Sequence, residues 1–134
     1  MTRALPDDLA RLVDEATTLV RDRAADPTHT VAAAVLTDDG TVATGLNLYH
    51  FTGGPCAELV ALANAAATTT SPVRAVVAVG DRGRGVLAPC GRCRQVLADL
   101  FPEAAALVPG PEGPRPVPVP ELLPASYAWA TQDG

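Results

Sequence analysis

The chain has no lysine. All ten of its basic residues are arginines, set against 15 Asp and Glu, for a formal net charge of −5. An acidic surface gives no steering toward phosphate backbones, which argues against a nucleic-acid polymer as partner and favours a small neutral or cationic substrate. Long hydrophobic runs are also missing. No stretch approaches the roughly 20 apolar residues of a membrane span, and no N-terminal apolar run resembles a signal peptide. The three cysteines form no disulfide-like framework, so a cytoplasmic, reducing location is expected. Internal repeats and a second domain are absent too.

What is present suffices for one domain over residues 1–134. Hydrophobic residues make up 48% of the chain, which argues for a packed core rather than disorder. Residues Leu5 to about Ala25 read as an amphipathic helix with Leu9, Leu12, Val13, Ala16, Leu19 and Val20 as its stripe. Asp7 or Asp8 can cap its start, and Asp26-Pro27 ends it. Val31 to Leu36 reads as a buried strand, Asp39-Gly40 as a hairpin turn, and Thr41 to Leu46 as the partner strand. A helix is expected from Pro55 to about Thr68, a strand at Ala75–Val79, a helix from Cys90 to Leu100 and a strand at Ala105–Val108. Val117 and Val119 would form a brief edge strand. Asp81 to Gly85 reads as a glycine-rich loop, and no Walker lysine or Rossmann acid accompanies it. This order predicts an α/β fold, a three-layer α/β/α sandwich around a mixed sheet of about five strands.

All three cysteines fall in two short segments, Pro55-Cys56-Ala57-Glu58 and Pro89-Cys90-Gly91-Arg92-Cys93. The spacing of Cys90 and Cys93 lets two thiolates grip one metal from the first turn of a helix, and Cys56 can supply a third ligand. Three protein ligands with an open fourth position describe a catalytic zinc, whereas structural zinc closes with four. No fourth cysteine exists, and neither His29 nor His50 stands at a standard spacing. Glu58 follows two residues after Cys56, within reach of a water on the metal and poorly placed to be a ligand. Such a site activates water. Three thiolates would leave the protein–zinc unit near −1. The helix starts at Cys56 and Cys90 offset part of that charge, as would Arg94 or, alternatively, Arg92. An ordinary helix-start acid is the plain alternative for Glu58, and three buried thiols the plain alternative for the cysteines.

Cys56-Ala57-Glu58 followed by Pro89-Cys90-Gly91-Arg92-Cys93-Arg94-Gln95 resembles the signature of the zinc nucleobase deaminases in its three-cysteine form. With Val31–Thr37 and Leu122-Leu123-Pro124, the chain resembles the cytidine deaminase family, in the small branch that includes blasticidin S deaminase. The resemblance spans nearly the whole chain. It implies hydrolytic deamination of a free cytosine nucleoside or a nucleoside antibiotic, with Zn2+ as cofactor and Glu58 shuttling protons. It also implies a homotetramer whose subunits share sites, and it marks His29, Asn47, Tyr49, Ala57 and Tyr127 as substrate-contacting.

The chain departs from that family on the sugar side. Typical members carry N-x-E-N before the first ligand, and here the stretch is Asn47-Leu48-Tyr49-His50, with Tyr49 in place of the Glu. The arginine that follows C-A-E in the family is Leu59 here, and the pyrimidine-contacting Phe is His29. Tyr49 and His50 read as contacts to something other than an ordinary ribose or as plain loop residues, and His29 equally as a packing histidine. Trp129 is expected at a subunit contact or beneath the tail. Two other classes compete: a zinc-stabilised binding domain without catalysis, and a C-x-x-C redox protein.

Overall fold

The computed structural model describes residues 4–24 and 26–129. Helix α1 (Asp7–Arg23) is followed by the hairpin β1 (Val31–Thr37) and β2 (Val42–Leu46), then α2 (Ala57–Thr68) and β3 (Val73–Gly80). Next come β4 (Gly85–Leu87), α3 (Gly91–Leu100), β5 (Ala105–Val108), β6 (Arg115–Pro118) and the single turn α4 (Val119–Leu122). The strands form one mixed sheet in the order β2-β1-β3-β5-β6, with β4 paired to β3 off that path. The sheet thus has six strands rather than five.

Alternation along the two central strands builds a core on each face. Ala32, Ala34 and Leu36 of β1 join Ala75, Val77 and Val79 of β3 against Leu9, Leu12, Ala16 and Val20 of α1. The intervening residues Ala33, Val35, Val76 and Ala78 face Ala57, Ala61, Leu62 and Ala65 of α2 and Leu97 of α3. A period of two on strands buried on both sides gives the three layers directly. On the α2 face, small residues set the spacing. A Cβ on Gly45 of β2 would stand 2.6 Å from the Ala61 backbone nitrogen, so glycine there lets an alanine-rich helix lie directly on the strand.

The sixth strand starts on the last residue of the expected Asp81–Gly85 loop and continues through Val86 and Leu87, where no element was expected. Arg82, Gly83 and Gly85 all have positive φ, at 53°, 73° and 75°, and this turns the chain back tightly enough for Gly85–Leu87 to pair with Ala78–Gly80. β5 occupies the other half of the same edge, running parallel to Ala75 and Val76.

Three further boundaries differ from expectation, and a fourth lies outside the described residues. α1 is capped by Pro6 with no side-chain cap bond. Asp7 and Asp8 are already helical and sit in the first turn, where their charge suits the helix dipole. Asp8 accepts from the Leu9 N–H and pairs with Arg74. Ala25, the expected end of α1, lies outside the described residues. Pro55 precedes the cap of α2 rather than opening the helix, because its carbonyl is held by the Leu48 N–H at 3.1 Å. Val119 begins α4 instead of extending β6. There Pro120 falls in a first turn that needs no N–H from it.

Candidate active site

Cys56 and Cys90 occupy equivalent places. Each is the residue that caps a helix, α2 and α3 respectively, with extended backbone. Cys93 lies one turn into α3 and is fully buried. The three sulfurs lie within 4.8 Å of one another, with Cys56 and Cys90 3.6 Å apart. Tetrahedral zinc at the usual Zn–S length of about 2.3 Å places its sulfurs about 3.8 Å apart. The donor set therefore fits zinc with little adjustment, and among the described residues no other cluster of His, Cys, Asp or Glu offers three such atoms.

Glu58 shares the inward face of α2 with Ala61, Leu62 and Ala65. This is a carboxyl on the stripe that periodicity reserves for the core, and it is only 6% exposed. Burial raises its pKa, while bonds from its own backbone N–H and the Cys93 thiol work the other way. The thiols also resist ionisation. Burial, then the Glu58 charge and the other two thiols, drives Cys93 far up, and burial chiefly raises Cys56. Cys90 is the exception. Burial opposes its ionisation, but the N–H groups of Cys93 and Arg92 and the neighbouring thiols lower its pKa overall. A buried thiol and carboxyl, with half-buried Cys56 and exposed Cys90 crowded against them, form a site whose charged state calls for a cation.

A cavity of ≈ 390 Å³ opens onto this corner, lined by Cys56, Ala57, Glu58 and Cys90 on its floor. Asn47, Leu48, Tyr49, His50, Gly53, Gly54 and Pro55 contribute one side, with Val31, Ala78, Leu87 and Ala88 on the others. A larger cleft of ≈ 550 Å³ lies beside Asp81–Gly83, but no cysteine lines it. Leu87 and Ala88 were not foreseen as cavity residues. The signal for them was the apolar pair Val86-Leu87 between the glycine-rich turn and Pro89.

The fold thus brings Asn47, Tyr49 and Ala57 to the cysteines and Glu58. The remaining expected residues stand elsewhere. His29 is outside the lining, and its Nδ1 lies 2.8 Å from the Asn47 carbonyl, which requires Nδ1 to carry the proton. The Asn47 side chain is itself largely committed: Oδ1 accepts from the N–H groups of Thr30 and Val31 at 2.7 and 2.9 Å, and Nδ2 donates to the Thr30 hydroxyl. Neither candidate arginine hydrogen-bonds a thiol. Arg94 donates to the carbonyls of Pro89 and Leu122 at 2.7 and 3.0 Å, and Arg92 to that of Gly54 at 3.2 Å. Tyr127 is exposed outside the cavity, its carbonyl accepting from Gln95 at 2.9 Å. Trp129 is 55% exposed, so it is not buried beneath the tail.

Known proteins point the same way as this geometry. A family model described as the cytidine and deoxycytidylate deaminase zinc-binding region matches residues 6–106. The chain is 39% identical over 101 residues to a cytidine deaminase of Halalkalibacterium halodurans, covering 72% of this chain and 76% of that protein. It is 28% identical over 125 residues to the blasticidin-S deaminase of Bacillus cereus, covering 87% and 89%. The crystal structure of cytidine deaminase from Mycobacterium tuberculosis superposes with a TM-score of 0.70 at 32% identity, over 92% of this chain and 99% of that one. Paired helix starts carrying three cysteines, a buried glutamate beside them and a match running through both segments have one common explanation: the chain belongs to the cytidine and deoxycytidylate deaminase family of zinc-dependent hydrolases.

Proposed function

We propose that the protein hydrolyses the amine from a cytosine nucleoside, giving the uracil form and ammonia. The observation that carries this reading is the buried Glu58 carboxyl on the cavity floor, beside three sulfurs spaced for one zinc. Zinc held by Cys56, Cys90 and Cys93 would supply the acidity that makes water a nucleophile at neutral pH. Glu58 takes a proton from that water and delivers it to ring N3 as the oxygen adds at C4, then carries the remaining proton of the new C4 hydroxyl to the amine as the C4–N bond breaks. A carboxyl serves both directions when its pKa stands nearer neutrality than usual. Burial raises that of Glu58, and a cation among the thiols would lower it.

A modified substrate, such as a cytosine-containing nucleoside antibiotic, is the second reading, and two observations favour it. Tyr49 lines the cavity where typical relatives carry a glutamate, and the Asn47 carboxamide is largely occupied by Thr30 and Val31. A ribose would then find fewer partners here. Ammonia release should be compared across cytidine, deoxycytidine and blasticidin S, using protein that holds about one zinc per chain. Turnover of the plain nucleosides points to pyrimidine salvage, and preference for the antibiotic points to detoxification. Zinc-loaded protein that releases ammonia from none of them overturns the deaminase reading.

We further infer a cytoplasmic homotetramer in which Tyr127 approaches a neighbour's cavity. Tyr127, Trp129, Leu100 and Phe51 are large apolar side chains left exposed on the single chain, and among the described residues no helix is long and apolar enough to cross a membrane. Light scattering tests the assembly, and a fully active monomer would contradict the shared site.

A further inference from the structure

The glycine-rich turn between β3 and β4 takes no part in the chemistry above, yet it is built with unusual care. Asp81 is buried, and its Oδ1 accepts from Arg84 Nε and Nη2 at 3.1 and 2.8 Å. A guanidinium folding back over three residues requires the turn described above, including a positive φ at Arg82, a residue with a Cβ. It also requires Gly80. A Cβ there would stand 2.8 Å from Arg84 Nε and 2.9 Å from Cζ. A phosphate at this turn would have to compete with a buried carboxylate for the same guanidinium, so the turn is not an anion cradle.

The pair reaches the substrate cavity through one residue. Arg84 Nη2 donates to the Thr30 carbonyl at 2.8 Å, and the Asp81 N–H donates to the same oxygen at 2.9 Å. On its other side, Thr30 gives its N–H to Asn47 Oδ1 and its hydroxyl accepts from Asn47 Nδ2. Asn47 lines the cavity and starts the loop that carries Tyr49 and His50. In the opposite direction, the turn leads into β4 and so to Leu87 and Ala88 on the facing wall.

We propose that Asp81 and Arg84 are positioning residues that set the width of the substrate cavity, fixing the Asn47 wall through Thr30 and the Leu87 wall through β4. The proposal rests on the deaminase reading for the identity of the ligand, but not for the mechanical link. Neither residue touches the cysteines, so loss of the pair should loosen substrate binding while sparing metal and chemistry.

The test compares Arg84→Ala, Arg84→Lys and wild type in the zinc-loaded enzyme. Arg84→Ala should raise KM about tenfold, as loss of a charged hydrogen bond does, with kcat within about twofold and zinc per chain unchanged. Amide exchange at Thr30 and Val31, whose N–H groups are held by Asn47, should accelerate by about the same factor. Arg84→Lys, which keeps the charge but loses the fork, should recover part of both. A KM unchanged from wild type overturns the proposal, as does zinc lost in step with activity, which would mark a merely structural pair. If wild-type protein turns over no nucleoside, the deaminase reading falls, and the exchange measurement still decides the link: unchanged protection at Thr30 and Val31 overturns it.

Discussion

Cys93 is fully buried and Glu58 6% exposed, whereas Tyr49 and Phe51, on the loop beside the same cavity, are 75% and 92% exposed. The floor hangs on two helix starts that are packed on the sheet through Ala57, Ala61 and Leu97. Movement there would disturb the core, so on the proposed reading the floor suits the parts of the chemistry that do not change from one substrate to another. The rim is a loop closed by the Leu48–Pro55 bond and the contact of Arg92 with Gly54. Its side chains are free to differ among relatives that deaminate different compounds. On the proposed deaminase reading, reaction type and substrate choice would thus fall to regions of different burial.

Removing a ligand from the floor should have the largest effect. Cys93→Ala deletes a fully buried thiol of the cluster, and metal binding is coupled to folding. Zinc should fall from about one per chain to nearly none, with a large drop in Tm and no detectable ammonia release. Elemental analysis and calorimetry check this, and retained zinc would show that two cysteines suffice. On the rim, Tyr49→Ala should leave zinc and Tm unchanged because the ring is mostly solvated. It should shift KM about three- to tenfold, and unequally among nucleosides, with kcat nearly constant. Equal effects on kcat for every substrate would erase the division between floor and rim.

Asp39, remote from both regions, offers the smallest effect and a control. Hydrogen bonds from the Thr37 hydroxyl first, then from Thr41 and Thr69, hold its carboxyl well below the usual range. A depressed folded-state pKa contributes stability above the unfolded value of about 3.9, and that contribution is lost as pH falls toward the folded value. Asp39→Asn should therefore lower Tm slightly at pH 7, with the gap from wild type closing below about pH 4. A gap that widened in acid would contradict the assigned bonds.

How far the sequence could be read follows the same division. The spacing of Cys90 and Cys93, the acid two residues after Cys56 and the alternating faces of β1 are local patterns, and local patterns dictated the floor and the three layers. β5 fell on the four residues expected of it, Ala105–Val108. β4 was missed because three residues carry too little periodicity to register, and its pairing depends on the backbone of Arg82 and Gly83. The destinations of Arg94 and Asn47 depend on the carbonyl of Leu122 and the amides of Thr30 and Val31. Those partners lie 28, 17 and 16 residues away, beyond the reach of any sequence window.

The central claim is that Glu58 moves protons on a floor whose metal is held by cysteines alone. Glu58→Gln isolates that role, because the amide is nearly the same shape and cannot shuttle protons. Zinc content and ammonia release should be measured on the same preparation, with the best substrate of the wild-type enzyme. Zinc should stay at about one per chain and the fold intact, while kcat falls by about 10⁴-fold or more, the upper end of general acid–base contributions. A variant that keeps its zinc and turns over at the wild-type rate would contradict the account.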